Sequence, residues 1–301
     1  MKHSLSLSTR AKRIAHDALT ITRINLLGQS TPVSEITAMR IVNRCRKVAL
    51  AWVLLASVFC SPSYAADAVP ELPRHLLIAR ELAENIKPAN NHYSLGVQSI
   101  SFPGDVFSSD YVMRADCSGL LLALIERAHY PVRTQLAFLN WTPSRKRPVA
   151  EDFVFSIETG KGFQQIIDVR LIRPGDVLAH AMLNASDKSQ TGTTGHVMLV
   201  DSEAKKIEPR NPLVAGTEQY EVAIIDSNIE YLGSDDTRLA DPSNKITGLG
   251  RGTIRLYADT DGALVGWARN FKNTNRFFSY SPRFLSDTKE RKAAIGRLIT
   301  Q

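Results

Sequence analysis

The sequence predicts an α+β domain in which helices come first and an antiparallel sheet follows. Three observations carry this. Two segments early in residues 66–301 space their apolar side chains as helices do. Beyond residue 165 the apolar residues fall into short runs parted by turn residues. Between the last two runs, Asp259-Thr260-Asp261-Gly262 has the composition of a hairpin turn.

The first element is a leader. The chain of 301 residues carries 37 basic and 30 acidic groups, a net charge of +7. Residues 1–65 hold nine of the basic groups and two of the acids, Asp17 and Glu35, and so carry the whole excess. Residues 48–60 form an uncharged apolar run behind Arg44, Arg46 and Lys47. The run is shorter than the roughly 20 residues a membrane-spanning helix needs. Ser63 and Ala65 then supply small residues at −3 and −1 of a cleavage site. This is the pattern of a secretory signal. Met39 would begin a leader of ordinary length, so the start is expected there. The positive charge thus leaves with the leader, and the neutral remainder gives no reason to expect nucleic acid or a membrane surface as partner. The product is expected to be exported, to the periplasm or the extracellular space.

Residues 66–301 read as one domain, with no repeat and no Gly/Ser or Pro linker. Residues 75–87 carry Leu76, Ala79, Leu82, Ala83 and Ile86 on a helix bounded by Pro73 and Pro88. Residues 94–115 are turn-rich and read as a loop. Residues 117–130 are helical and apolar nearly all round (Leu120, Leu121, Leu122, Leu124, Ile125), as a buried helix is, and Pro131 ends them. Strands follow at 177–179, 197–200, 221–225, 253–257 and 264–267, with polar insertions at 181–195 and 202–220. Gly248, Gly250 and Gly252 read as a flexible turn, and Arg145-Lys146-Arg147 as a solvated loop.

Removal of the leader takes Cys45 and Cys60 and leaves one thiol, Cys117. It lies in Asp116-Cys117-Ser118-Gly119, where Asp116 is a natural N-cap and Cys117 occupies the first helical turn. Free amides and the positive end of the helix dipole favour a thiolate there. A lone cysteine is a nucleophile only if a histidine meets it; otherwise it is a small buried hydrophobe. His196, opening the strand Gly195-His196-Val197, is the favoured partner. If that strand returns as 221–226 in a symmetric pair, His196 faces Asp226. Directly opposed Cβ atoms lie about 4.5–5.5 Å apart. Asp226 could then orient the imidazole toward Cys117, the nucleophile–base–orienter arrangement of several unrelated folds. The alternatives are a turn beginning at Asp226 and a strand-edge histidine without a catalytic role. No His-Glu-x-x-His, paired Cys-x-x-Cys or phosphate-binding loop is present, so no cofactor or metal is expected.

These motifs resemble, in order, those of the NlpC-type cell-wall cysteine peptidases, a papain-like family. Tyr93-Ser94-Leu95-Gly96 is similar to the family's Tyr-x-x-Gly before the nucleophile. Asp116-Cys117-Ser118-Gly119 is similar to its nucleophile motif, Arg173-Pro174-Gly175-Asp176-Val177 to its Pro-Gly-Asp segment, and Gly195-His196-Val197 to its histidine motif. The resemblance covers roughly residues 73–228. It implies a papain-like fold with helices packed on an antiparallel sheet or half-barrel. It also implies hydrolysis of amide bonds in peptidoglycan stem peptides. Cys117 would be the nucleophile, His196 the general base and Asp226 the orienting residue. Tyr93 would line the site and assist the oxyanion, and Asp116 and Ser118 would contact a substrate amine. The third residue is often His in the family and is Asp here, and the intervals between the three are longer. Amide cleavage at the sugar–peptide junction, acyl transfer by the same thiol, and non-catalytic wall binding stand as alternatives.

Overall fold

Proline and a run of paired apolar residues set the first helix. The structure, a computed structural model, describes residues 71–96, 98–106, 108–129, 147–183, 194–241, 246–280 and 291–299. The expected leader, with Met39, Cys45 and Cys60, lies outside them, as do residues 184–193 of the expected insertion at 181–195. The described residues fall in one unit, Pro70–Gln301. Helix α1, Arg74–Asn85, starts after Pro73 and buries Leu76, Ile78, Ala79 and Leu82. None of the described helices is long and apolar enough to cross a membrane.

Residues 94–115, expected as a loop, contain two strands. β1 (Asn91–Tyr93), β2 (Ser99–Ser101) and β3 (Val112–Ala115) form a small sheet in the order β1-β3-β2, with β1 parallel to β3. β3 runs through Asp116 directly into helix α2, Cys117–Ala128. Helix α2 packs on α1 and on strands of the large sheet. Its Leu120, Leu121, Leu124 and Ile125 are almost fully buried. Each such side chain contributes about 1.5–3 kcal/mol on burial. Helix α3, Ala150–Glu158, has Glu151 and Asp152 in its first turn, where acids suit the helix dipole.

The remaining strands are β4 (Phe163–Ile166), β5 (Val177–Met182), β6 (Gly195–Val200), β7 (Lys205–Ile207), β8 (Glu218–Asn228), β9 (Gly248–Ala258), β10 (Leu264–Arg269), β11 (Phe278–Ser279) and β12 (Arg291–Leu298). They make a sheet of nine strands among the described residues, ordered β11-β10-β9-β8-β6-β5-β12-β4, with β7 added to β8. Its pairings are antiparallel. The β9–β10 turn falls at Asp259–Gly262, where Gly262 adopts φ +89°. The segment 202–220, read as an insertion, carries β7 and the first residues of β8, so part of it belongs to the sheet.

Strand alternation splits the core in two. Val177, Ala179, Val197 and Leu199 pack under the helices with Leu124 and Phe153. Leu178, Met198, Val200 and Ile224 face the other way, onto Leu256, Trp267 and Phe278. Both faces are therefore apolar, which is why the strands read as continuous runs.

Asp201, just past β6, ties helix to sheet. Its side chain is fully buried. It accepts from Arg80 Nε of α1 at 2.6 Å and pairs with Arg251 of β9. Replacing Asp201 with Asn removes the charge that both guanidinium groups answer. Urea unfolding should show a loss of about 1.5–3 kcal/mol, the range for hydrogen bonds to charged groups.

Candidate active site

The start of α2 is built from side-chain bonds. Asp116 caps it, Oδ1 accepting from Gly119 N at 2.8 Å. Gly119 leaves room for Gln98, whose Oε1 a Cβ at that position would overlap. Gln98 Oε1 also accepts from Asp116 N at 3.3 Å. On the opposite side, Ser227 of β8 donates from Oγ to Ala115 O at 2.6 Å. The backbone entering Cys117 is thus fixed to the sheet that carries the histidine. Cys117 itself is a free thiol, buried to 7% exposure.

His196 meets both expected partners. Its Nε2 lies 2.7 Å from Asp226 Oδ2, and Cys117 lies close enough to act on its charge. With Nε2 taken by Asp226, Nδ1 is the nitrogen left for the thiol. The two strands are not in the register that the sequence suggested. Leu199 pairs with Ile225 and Val200 with Ile224, which shifts β8 by two residues along β6. Continuing that register sets Asn228, not Asp226, opposite His196. A two-residue shift keeps every side chain on its face. The carboxylate therefore reaches the imidazole along the diagonal, which long side chains can span. Asn228 Nδ2 lies 3.3 Å from Asp226 Oδ2 and 3.4 Å from His196 Nε2. The strand continues through Ser227, so no turn starts at Asp226. The turn begins at Asn228, whose Oδ1 accepts from Ile229 N and Glu230 N.

Behind Asp226 stands Arg238, which the sequence did not single out. It is 2% exposed. Its Nη2 lies 3.1 Å from Asp226 Oδ1, an ion pair whose angle is too poor for a hydrogen bond. The same guanidinium donates to Asp236 at 2.6 Å and 2.9 Å and to Gly248 O at 2.9 Å. The glycines read as a flexible turn belong to β9, and Gly250 and Gly252 make the space. Gly250 pairs with Asp226 across the ladder, and a Cβ on it would strike the Arg238 guanidinium. Gly252 lies under the Asp236 backbone. Gly250 and Gly252, two residues apart on one face of the strand, clear it for the turn that holds Arg238, while Gly248 leaves room for Asn91 and Met113 of the small sheet.

Tyr93 and Ala115 are partners in the β1–β3 ladder, so Tyr93 stands beside the approach to Cys117. Burial raises its phenol well above the usual value, and Cys117 and Asp116 add to this. Asp116 and Ser118 are buried and already engaged. Arg147 donates from Nη1 to Asp116 Oδ1 and to Ser118 Oγ, both at 2.9 Å, and pairs through Nη2 with Asp116 Oδ2. Ser118 Oγ donates in turn to Asp116 Oδ1 at 3.1 Å. Arg147 is therefore no solvated loop residue.

Electrostatics separate the two histidines at the site. Burial alone would push His196 down. The charge of Cys117 and the hydrogen bond that His196 donates to Asp226 outweigh it and raise His196 to about 10. Burial alone would raise the Asp226 carboxyl, but Arg238 and His196 hold it below the ordinary value. His180, directly opposite His196 in the β5–β6 ladder, is driven well below 6.5 by burial, with His196 and Arg291 adding to the effect. It packs among Trp267 and Tyr280, with Nδ1 3.1 Å from the Tyr280 hydroxyl. Among the described residues, no group of three or more His, Cys, Asp or Glu is arranged to hold a metal.

No family model matches the chain, and no solved structure matches it. The chain is 28% identical over 172 residues to an uncharacterized protein of Acanthamoeba polyphaga mimivirus. The match spans 56% of this chain and 73% of the relative.

Two outcomes follow from the charges. His196 is raised in the folded state from 6.5 to about 10, so the stability its proton adds is full below pH 6.5 and fades as pH climbs toward 10. Urea titrations of wild type and Asp226→Asn should show their widest gap at pH 6 and a narrower one at pH 10; a gap that widens with pH would contradict the assignment. Arg238→Met strands two buried carboxylates and should cost about 3–5 kcal/mol. Adding Asp236→Asn should recover part of that loss in a double-mutant cycle.

Proposed function

We propose that the chain is an exported cysteine hydrolase that cleaves amide bonds of peptidoglycan stem peptides. The observation that carries the reading is the relay of Cys117, His196 and Asp226 at the start of a buried helix. The helix-on-antiparallel-sheet arrangement, the order of the motifs and the signal-like leader support a papain-like, NlpC-type enzyme.

In this reading Cys117 Sγ attacks the substrate carbonyl, forming a C–S bond and a tetrahedral oxyanion. The cap consumes the Gly119 amide, which leaves the Cys117 amide as a donor to the oxyanion, with the Tyr93 hydroxyl beside it. One such donor is commonly worth about 2.7–4 kcal/mol in the barrier. His196, protonated by its surroundings, gives its proton to the leaving amine as the C–N bond breaks. Neutral His196 then takes a proton from water, which attacks the thioester and releases the acid and the thiol. Asp226 holds the imidazole so that Nδ1 faces sulfur, and Arg238 holds Asp226. Tyr93 and the helix start form the floor on which the acyl group lies. His180 stays uncharged and packs beside the base.

Mass spectrometry of muropeptides treated with wild type and Cys117→Ala tests the proposal. Wild type should release thiol-dependent fragments, and the variant should lose activity by about 10⁴-fold or more. Free stem peptide with intact glycan would assign the cut to the sugar–peptide amide, and a peptide adduct would assign acyl transfer. If the variant binds peptidoglycan as well as wild type and neither changes it, the chain is a wall-binding module.

A further inference from the structure

We infer that Arg147 makes the proposed hydrolase select peptides whose N-terminus is acylated, and reject those ending in a free amine. The inference rests on the reading of Cys117 as an acyl-transfer nucleophile and names the substrate class for that site.

Asp116 and Ser118 flank Cys117 in the chain, and they are the groups expected to hold a substrate ammonium. Most of their capacity is spent inside the protein. A carboxylate offers about four lone-pair positions. Asp116 Oδ1 accepts from Gly119 N, Ser118 Oγ and Arg147 Nη1, and Oδ2 pairs with Arg147 Nη2. Ser118 Oγ gives its proton to Asp116 and accepts from Arg147. An incoming ammonium would have to share every acceptor oxygen of the two residues with the Arg147 guanidinium.

Charge leads to the same result. Arg147 is fastened at three points, to Asp116, Ser118 and Leu95 O. Its side chain keeps 23% exposure, while that of Asp116 keeps 8%. The guanidinium is therefore the charge that a substrate meets, and the carboxylate lies beneath it. Its field reaches the reaction centre, since the Tyr93 phenol responds to Cys117, Asp116 and Arg147 together. The other charges around the thiol give an ammonium no substitute: His196 is cationic, and Asp226 is fully buried against Arg238. A free amine would be desolvated beside two cations. A neutral N-acyl amide carries no such penalty. In the cell wall, a stem peptide still joined to its glycan has this acylated N-terminus, whereas one already released has a free amine. The site therefore belongs upstream of any reaction that cuts the stem from the sugar.

The test is a matched pair of stem peptides, one with a free N-terminus and one N-acetylated, offered to wild type, Arg147→Met and Arg147→Lys. Wild type should favour the acetylated peptide by about 10-fold or more in kcat/KM. Arg147→Met should shrink or invert the preference by releasing Asp116, and Arg147→Lys should fall between. Equal rates, or a wild-type preference for the free amine, overturn the inference while leaving the hydrolase reading intact. Calorimetry of the same peptides on Cys117→Ser is the second arm. Preferential binding of the acetylated peptide without turnover by wild type supports the selectivity and removes the catalytic reading. Binding of neither peptide removes both.

Discussion

A guanidinium taken out of water must have its charge and its donors answered by the protein. Arg238 is answered by Asp236, by the carbonyl of Gly248 and by the ion pair with Asp226. Much of the site depends on that arrangement. Asp226 is ionised and fixed because Arg238 lies behind it, and His196 is fixed because Asp226 is. Room for the group comes from β9, whose glycines clear one face. The demand on the sequence is therefore spread over Asp226, the Asp236-Thr237-Arg238 turn and two glycines in the neighbouring strand, Gly250 and Gly252.

The end of β8 performs a second task. Asp226 turns to the imidazole, and Ser227, on the other face, holds the carbonyl two residues before Cys117. Consecutive strand residues point to opposite faces. One short stretch can thus seat the histidine on one side and the start of α2 on the other. The distance between thiol and base is set by that strand end. Asn228 closes the strand and accepts the first amides of the turn that follows.

Much of this was legible in the sequence, for identifiable reasons. Helix α2 declared itself because an apolar run behind Asp116 can only be buried, and the β9–β10 hairpin because Gly262 ends an Asp-rich turn. His196 and Asp226 were paired correctly on an incorrect register. A shift of two leaves faces unchanged, so the alternation carried the right information even though the strand ends did not. Arg147 was not legible because its partners are distant in the chain; Arg238 has Asp236 two residues away, but no local period marks an arginine that will be buried. The glycines of β9 misled, because Gly-x-Gly-x-Gly is the composition of a turn until something bulky is known to lie across it. Helix α3 was overlooked behind the basic triplet, although Glu151 and Asp152 in its first turn are a start signal.

The two carboxylates nearest the thiol pose a problem that the arginines resolve. Asp116 adjoins Cys117 in the chain, and Asp226 is one side chain removed from it. Unanswered, each would oppose negative charge on sulfur, and each would cost free energy in a buried setting. Arg147 answers the first and Arg238 the second. Once both pairs are made, the carboxylates serve as structure: one caps a helix and the other aims an imidazole. That division explains why the acids can sit so close to a nucleophile, and why the same Arg147 that protects the thiol from Asp116 also removes Asp116 from contact with a ligand.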